Sequence, residues 1–150
     1  MPTILTFTAN LLAETTYTFN SWEEGKTQRA TEEFFQVGGK GINVSKMLKR
    51  LDSETRALCF LGGETGKRCD AWLKERKFPF EPFQTEGETR SGAVVRANGK
   101  AETTYLGLDS QVCTESIQAC VDYLDTQGAD TVLAICGVIQ NWDTSAWNSF

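Results

Sequence analysis

The sequence predicts an α/β fold, a parallel-rich sheet covered by helices, with a small antiparallel β unit added to it. Three observations predict this. Short β-rich apolar runs alternate with segments of helical period. Glycine pairs, Gly38-Gly39 and Gly62-Gly63, mark the switches from one period to the other. Asn98-Gly99, a strong short-range hairpin signal, interrupts the alternation once.

The elements follow in order. Residues 3 to 8 are a β-rich apolar run, and residues 14 to 19 alternate like a half-exposed strand. A turn at Glu23-Glu24-Gly25-Lys26 leads to a polar-faced strand over about 30 to 37, which ends at the glycines. From Gly41 the period changes, with Val44, Met47, Leu48 and Leu51 on one helical stripe and Lys46, Lys49 and Arg50 opposite. A strand over 56 to 61 and a helix from Thr65 to about Lys77 follow, with Cys69, Trp72, Leu73 and Arg76 on its stripe. After a short strand near 79 to 83, the runs 89 to 97 and 100 to 106 flank Asn98-Gly99 as an antiparallel pair. Ile117, Cys120, Val121 and Leu124 then predict a helix from Thr114 to about Thr126, with Gly128 as its C-cap, before a buried strand over 131 to 136.

Asp143-Thr144 reads as a further helix start, with little beyond Trp147 and Phe150 for that helix to pack against. A sheet of so few strands with a bare edge is a poor free-standing unit, so these residues are expected to belong to a longer natural chain.

Bulk composition narrows the function. The chain has 150 residues, of which 40% are hydrophobic and 23% charged, within the ordinary globular range. A net charge of −5 argues against nucleic acid, whose binding needs a basic surface to neutralise phosphates. No run approaches the roughly 18 apolar residues of a membrane span, and no basic leader precedes the first apolar run. A cytoplasmic location without a membrane partner is expected. The five cysteines lack a C-x-x-C pair and mostly sit in apolar patterns, as reduced core thiols do. Histidine is absent, which excludes Ser-His-Asp and Cys-His catalysis and histidine-based metal sites.

The candidate site is the run Val37-Gly38-Gly39-Lys40-Gly41-Ile42-Asn43, which joins a strand to a helix start. Unpaired amides and the positive end of the helix dipole favour an anion there, glycines allow close approach, and Lys40 adds a point charge. On spacing alone, a purely structural turn with an exposed lysine fits the same residues equally well. Two look-alikes are set aside. Gly62-Gly63-Glu64-Thr65-Gly66-Lys67-Arg68 has Leu61 where a P-loop needs its first glycine and Arg68 where it needs Ser or Thr. Asp125-Thr126-Gln127-Gly128-Ala129-Asp130 follows a helix and precedes a strand, the wrong context for a catalytic-aspartate loop.

Asn10, Thr16-Tyr17, Gly38-Gly39-Lys40-Gly41-Ile42-Asn43-Val44, Phe60-Leu61-Gly62-Gly63-Glu64-Thr65-Gly66 and Gly87-Glu88-Thr89-Arg90 occur in register along the chain. In this the sequence resembles the ribokinase-like (PfkB-type) sugar kinases, above all the 1-phosphofructokinase and tagatose-6-phosphate kinase branch, over their amino-terminal half. The resemblance implies a ribokinase-like three-layer sandwich with helices on both faces and a small β-sheet lid, here the strands near 14–19, 31–37, 89–97 and 100–106. It implies transfer of the ATP γ-phosphate to a hydroxyl of a sugar phosphate, with Mg2+, and a homodimer formed through the lid. The catalytic aspartate and the ATP site would lie in a carboxy-terminal half that this sequence does not contain, so these residues alone are expected to be inactive. Gly38, Gly39, Lys40 and Asn43 would contact the sugar and its phosphate, and Arg90 would clamp that phosphate with its planar fork. Glu14 stands where the family usually has an aspartate that binds sugar hydroxyls.

The sequence also departs from the family pattern. Leu11 replaces a usual proline, Glu14 is one methylene longer than aspartate, and Leu106-Gly107-Leu108 stands where Asn-Glu-Pro is common. Cys136-Gly137-Val138-Ile139-Gln140 replaces a Ser-Gly-Ser-Leu-Pro type segment, so Val138 offers no hydroxyl. Two functional readings follow: a working kinase with a modified pocket, or a non-catalytic sugar-phosphate-binding or regulatory member of the same family.

Overall fold

A computed structural model of the chain describes residues 3–137. The expected helix start at Asp143-Thr144 and the segment from Val138 onward lie outside the described residues. Among the described residues, eight strands and three helices run in the order β1 (Ile4–Thr8), β2 (Leu12–Phe19), β3 (Glu32–Gly38), α1 (Lys40–Arg50), β4 (Thr55–Leu61), α2 (Gly63–Glu75), β5 (Phe80–Gln84), β6 (Ser91–Ala97), β7 (Thr103–Leu106), α3 (Thr114–Asp125) and β8 (Val132–Ile135). β5, β4, β1 and β8 form one sheet in that spatial order, every neighbouring pair parallel. A second sheet has the order β3-β2-β6-β7, with β2 and β6 parallel at its centre and antiparallel strands on both sides.

Side-chain alternation along β4 makes the parallel sheet the middle of three layers. Ala57, Cys59 and Leu61 face a core with Ile42 of α1 and with Cys69 and Leu73 of α2. Leu58 and Phe60 face the other way, into a core with Leu5, Phe7, Phe83 and Cys120 of α3. On that side Phe7 meets the edge of Phe60 with ring centroids 5.4 Å apart. The second sheet joins the first core at its base, where Ala13 and Val37 are buried and Trp72 Nε1 donates to the Phe35 carbonyl oxygen at 3.1 Å.

Helix α1 buries a different face from the expected one. Gly41, Ile42 and Ser45 are buried, whereas Met47 and Leu51 are 51% and 70% exposed and Val44 is also exposed. The cause lies in β1, whose Thr6 and Thr8 face α1 and bring Ser45 and Gly41, both small, into direct contact. Ser45 Oγ bridges Thr6 Oγ1 at 2.7 Å and Thr55 Oγ1 at 3.0 Å, and the Thr55 hydroxyl donates to the Ile4 carbonyl oxygen at 2.9 Å. This chain of hydroxyls satisfies three groups that burial would otherwise penalise.

Three further expectations need correction. β8 is half-exposed rather than buried, because β1 is its only strand partner among the described residues. Helix α3 ends at a Thr126 cap, with the Thr126 hydroxyl donating to the Tyr123 carbonyl oxygen at 2.6 Å, and Gly128 has no left-handed backbone. The Asn98-Gly99 hairpin exists, but β6 ends at Ala97 and β7 begins only at Thr103, so the connection is longer than a two-residue turn. Gly99 supplies its left-handed residue, with φ of 71°. No helix among the described residues is long and apolar enough to cross a membrane.

Candidate functional site

The carboxyl ends of β1 and β8 and the amino end of α1 converge on one cavity of about 220 Å³. Such a crevice beyond the carboxyl ends of parallel strands is where open α/β sheets bind ligands. Thr8 and Asn10 follow from β1, Lys40 opens α1, and Cys136 and Gly137 follow β8. Arg90 immediately precedes β6, Leu106 ends β7, and Asp109 lies in the segment after it.

The glycines make the tight approach possible. Gly39, at the N-cap of α1, has φ of 118°, and a Cβ there would stand 2.7 Å from Thr8 Cγ2. A Cβ on Gly41 would collide with Thr8 Oγ1 and come within 2.9 Å of the Phe7 carbonyl oxygen. No side chain caps the first turn of α1, and that turn carries no acidic residue. Its amides therefore remain available to an anion. Thr8 Oγ1 and Arg90 Nε are buried without a hydrogen-bond partner among the described residues.

Arg90 is firmly placed. Its backbone N–H donates to Ser110 Oγ at 2.9 Å, and its carbonyl oxygen accepts from the Ala13 N–H at 2.8 Å. Its guanidinium donates through Nη1 to Asp109 Oδ1 at 2.9 Å and through Nη2 to the Asn10 carbonyl oxygen at 3.3 Å. Asn10 Oδ1 in turn accepts from the Ser110 N–H at 3.2 Å. The segment 109–110 is thereby tied to both walls of the cavity.

The structure thus brings Lys40 and Arg90 together across 50 residues of sequence and sets the Gly39 turn beside them. It does not bring Glu14, Gly38 or Asn43 to the cavity lining. Glu14 accepts a hydrogen bond from Gln36 Nε2 on the neighbouring strand, and Gly38 is packed against Glu14 and Leu12. Asn43 is exposed on α1, its backbone N–H bonded to the Gly39 carbonyl oxygen at 3.0 Å. Beneath this turn Lys46 donates to the Val37 carbonyl oxygen at 2.9 Å, and burial lowers its pKa against the opposing effect of Glu14. Sequence reasoning missed Thr8 and Asp109 as cavity residues. No local pattern marks them, because only the fold places residues 8 and 109 beside Arg90.

Comparison with known proteins bears on the family and the fold. Residues 9–146 match the pattern of the pfkB family carbohydrate kinases. The chain belongs to the pfkB carbohydrate kinase family. Over 132 residues it is 32% identical to the 1-phosphofructokinase of Haloferax volcanii, covering 87% of this chain and 43% of that protein. Over 115 residues it is 28% identical to the 1-phosphofructokinase of Bacillus subtilis, covering 77% of this chain and 37% of that one. The chain thus spans less than half the length of these relatives. Among solved structures, the phosphofructokinase-2 of Escherichia coli in complex with fructose-6-phosphate superposes with a TM-score of 0.89 at 18% identity, over 98% of this chain and 49% of that one. This likeness establishes the shared ribokinase-like fold.

The look-alike of a P-loop lies at the amino end of α2. That helix end is capped by the Glu88 carboxylate. It accepts from the Glu64 N–H at 3.2 Å and the Thr65 N–H at 3.0 Å, with the Thr65 hydroxyl 2.6 Å away. The Thr65 hydroxyl, followed by the two amides, holds the Glu88 carboxyl below the ordinary glutamate range. A Cβ on Gly63 would collide with that carboxylate. No group of three or more metal-ligating side chains gathers among the described residues.

Proposed function

We propose that the whole protein is an ATP-dependent, phosphofructokinase-like sugar-phosphate kinase, and that this chain supplies its sugar-binding and lid elements. The observation that carries this reading is the cavity in which Lys40 and Arg90 meet the uncapped amino end of α1. Two cations and a free helix terminus suit a phosphorylated ligand, and the unpartnered Thr8 hydroxyl suits a polyol. The fructose-6-phosphate held by the Escherichia coli neighbour is a ligand of that chemistry.

In this reading Lys40 and Arg90 take the phosphate already on the sugar, and Gly38 and Gly39 let it approach the backbone. Glu14 and Asn43 meet hydroxyls of a ligand that extends past the cavity. ATP and Mg2+ would be held by residues outside those described, together with the general base. The second sheet would act as the lid and as the contact of a homodimer in the cytoplasm. Its exposed Phe34, Tyr105 and Leu106, with Trp22 and Leu108 beside it, favour such a contact.

The test is a coupled ADP-release assay on the full-length protein with magnesium, ATP and a panel of hexose phosphates and free sugars. Release above the ATP-only blank with one sugar phosphate is expected. Silence across the panel would reject the kinase and favour a non-catalytic binding protein.

A further inference from the structure

The phosphate-facing arginine of this cavity already has an anion. Arg90 Nη1 and Asp109 Oδ1 are 2.9 Å apart, and their side chains are only 15% and 26% exposed. Both residues line the cavity together with Lys40. Among the described residues the lining therefore carries two cations and one carboxylate, and the Arg90–Asp109 pair leaves the charge of Lys40 over. Attraction within a pair so largely withdrawn from water exceeds that of a surface ion pair.

An incoming phosphate meets two obstacles. Asp109 Oδ1 stands where a phosphate oxygen would accept from Nη1, and its charge repels the same phosphate. A neutral hydroxyl meets neither. The pair with Nη1 is made through Asp109 Oδ1, and a carboxylate has acceptor capacity beyond one such bond, so Asp109 can also accept from a sugar hydroxyl.

Arg90 does not depend on Asp109 for its place. Its backbone is held by Ser110 and Ala13, and its Nη2 by the Asn10 carbonyl oxygen. The carboxylate is thus not required as a support, and its main effect falls on the charge that a ligand encounters.

We propose that Asp109 is a specificity-determining residue, a built-in competitor for Arg90 that weakens binding of phosphorylated ligands and favours hydroxyl groups. This rests on the reading that the cavity takes the sugar. A phosphorylated sugar binds by displacing the Asp109 carboxylate from Nη1, and the strength of that pair sets how far the site discriminates between a sugar phosphate and the free sugar.

The test uses the full-length protein as wild type, Asp109→Asn and Asp109→Ser, titrated calorimetrically at fixed ionic strength with fructose 6-phosphate, inorganic phosphate and free fructose. Asparagine keeps an acceptor for Nη1 and removes the charge, and serine also removes bulk. Both variants are expected to bind fructose 6-phosphate and inorganic phosphate about tenfold more tightly, with free fructose unchanged or weaker. If the wild type binds fructose 6-phosphate and neither variant tightens it, the competitor role is wrong while the sugar-phosphate site stands. If neither wild type nor variants bind any of the three, the site reading falls and the proposal falls with it.

Discussion

Replacing Gly41 with alanine tests the close approach of α1 to β1. In an unconstrained helix the change would be favourable, since alanine exceeds glycine in helix propensity by ~1 kcal/mol. Here the new methyl group would collide with Thr8 Oγ1 and stand 2.9 Å from the Phe7 carbonyl oxygen. Neither neighbour can move cheaply. Thr8 is 2% exposed, and Phe7 lies in a strand paired on both sides, with β4 and β8. Overpacking of this kind costs ~1–3 kcal/mol, and contact with fixed backbone puts Gly41→Ala at the upper end, ~3 kcal/mol. Less the propensity gain, a net destabilisation of ~2 kcal/mol is expected, a fall in Tm of about 4–8 °C for a domain of this size. Thermal and urea unfolding of the variant and of Val44→Ala provide the measurement. Val44 is exposed on the same helix, and its truncation should stay within ~0.5 kcal/mol of wild type. A double variant with Thr8→Ala should recover part of the loss, because it removes one of the two colliding neighbours. Unchanged or raised stability in Gly41→Ala would refute the argument that α1 sits against β1 through small residues.

Three other outcomes are expected. Lys40→Ala and Arg90→Ala should each weaken a phosphorylated sugar by roughly 10- to 100-fold, the worth of a charge-assisted hydrogen bond, and the unphosphorylated analogue far less. Equal losses for both ligands, by calorimetry, would remove the phosphate assignment. The Glu88 carboxyl has a lowered pKa in the folded state, so its contribution is fully present above the ordinary glutamate range and fades as pH falls through the lowered value. Glu88→Gln should therefore flatten the acid side of the stability profile, and denaturant midpoints that stay parallel to wild type down to acid pH would contradict this. Burial pushes the Cys69 and Cys120 thiols up to about 12 and raises Cys59 as well, whereas bonding to Ser116 lowers the thiol of the half-buried Cys113. Iodoacetamide followed by peptide mass spectrometry should find Cys113 modified well before those three, and Cys120 labelled as fast as Cys113 would be the contrary result.

The sequence by itself determined the order of elements, since the period of apolar residues and the glycine breaks are local properties of the chain. It also determined the family, because five short motifs stand in register and the pfkB match over residues 9–146 covers the same stretch. Which face of α1 is buried was decided by the tertiary structure alone. Periodicity favours Val44, Met47, Leu48 and Leu51, yet beside the hydroxyl-lined surface of β1 it is Gly41, Ile42 and Ser45 that are buried, and hydrophobicity does not record how close a neighbour comes. The parallel pairing of β2 with β6, from Ala13↔Ser91 to Phe19↔Ala97, is equally invisible locally, because it joins residues 78 apart. Arg90 and Lys40 could be named from motifs, but the Asp109 carboxylate that answers Arg90 could not. An ion pair depends on where two chain segments end in space, and here the turn of the second sheet back toward Asn10 decides it.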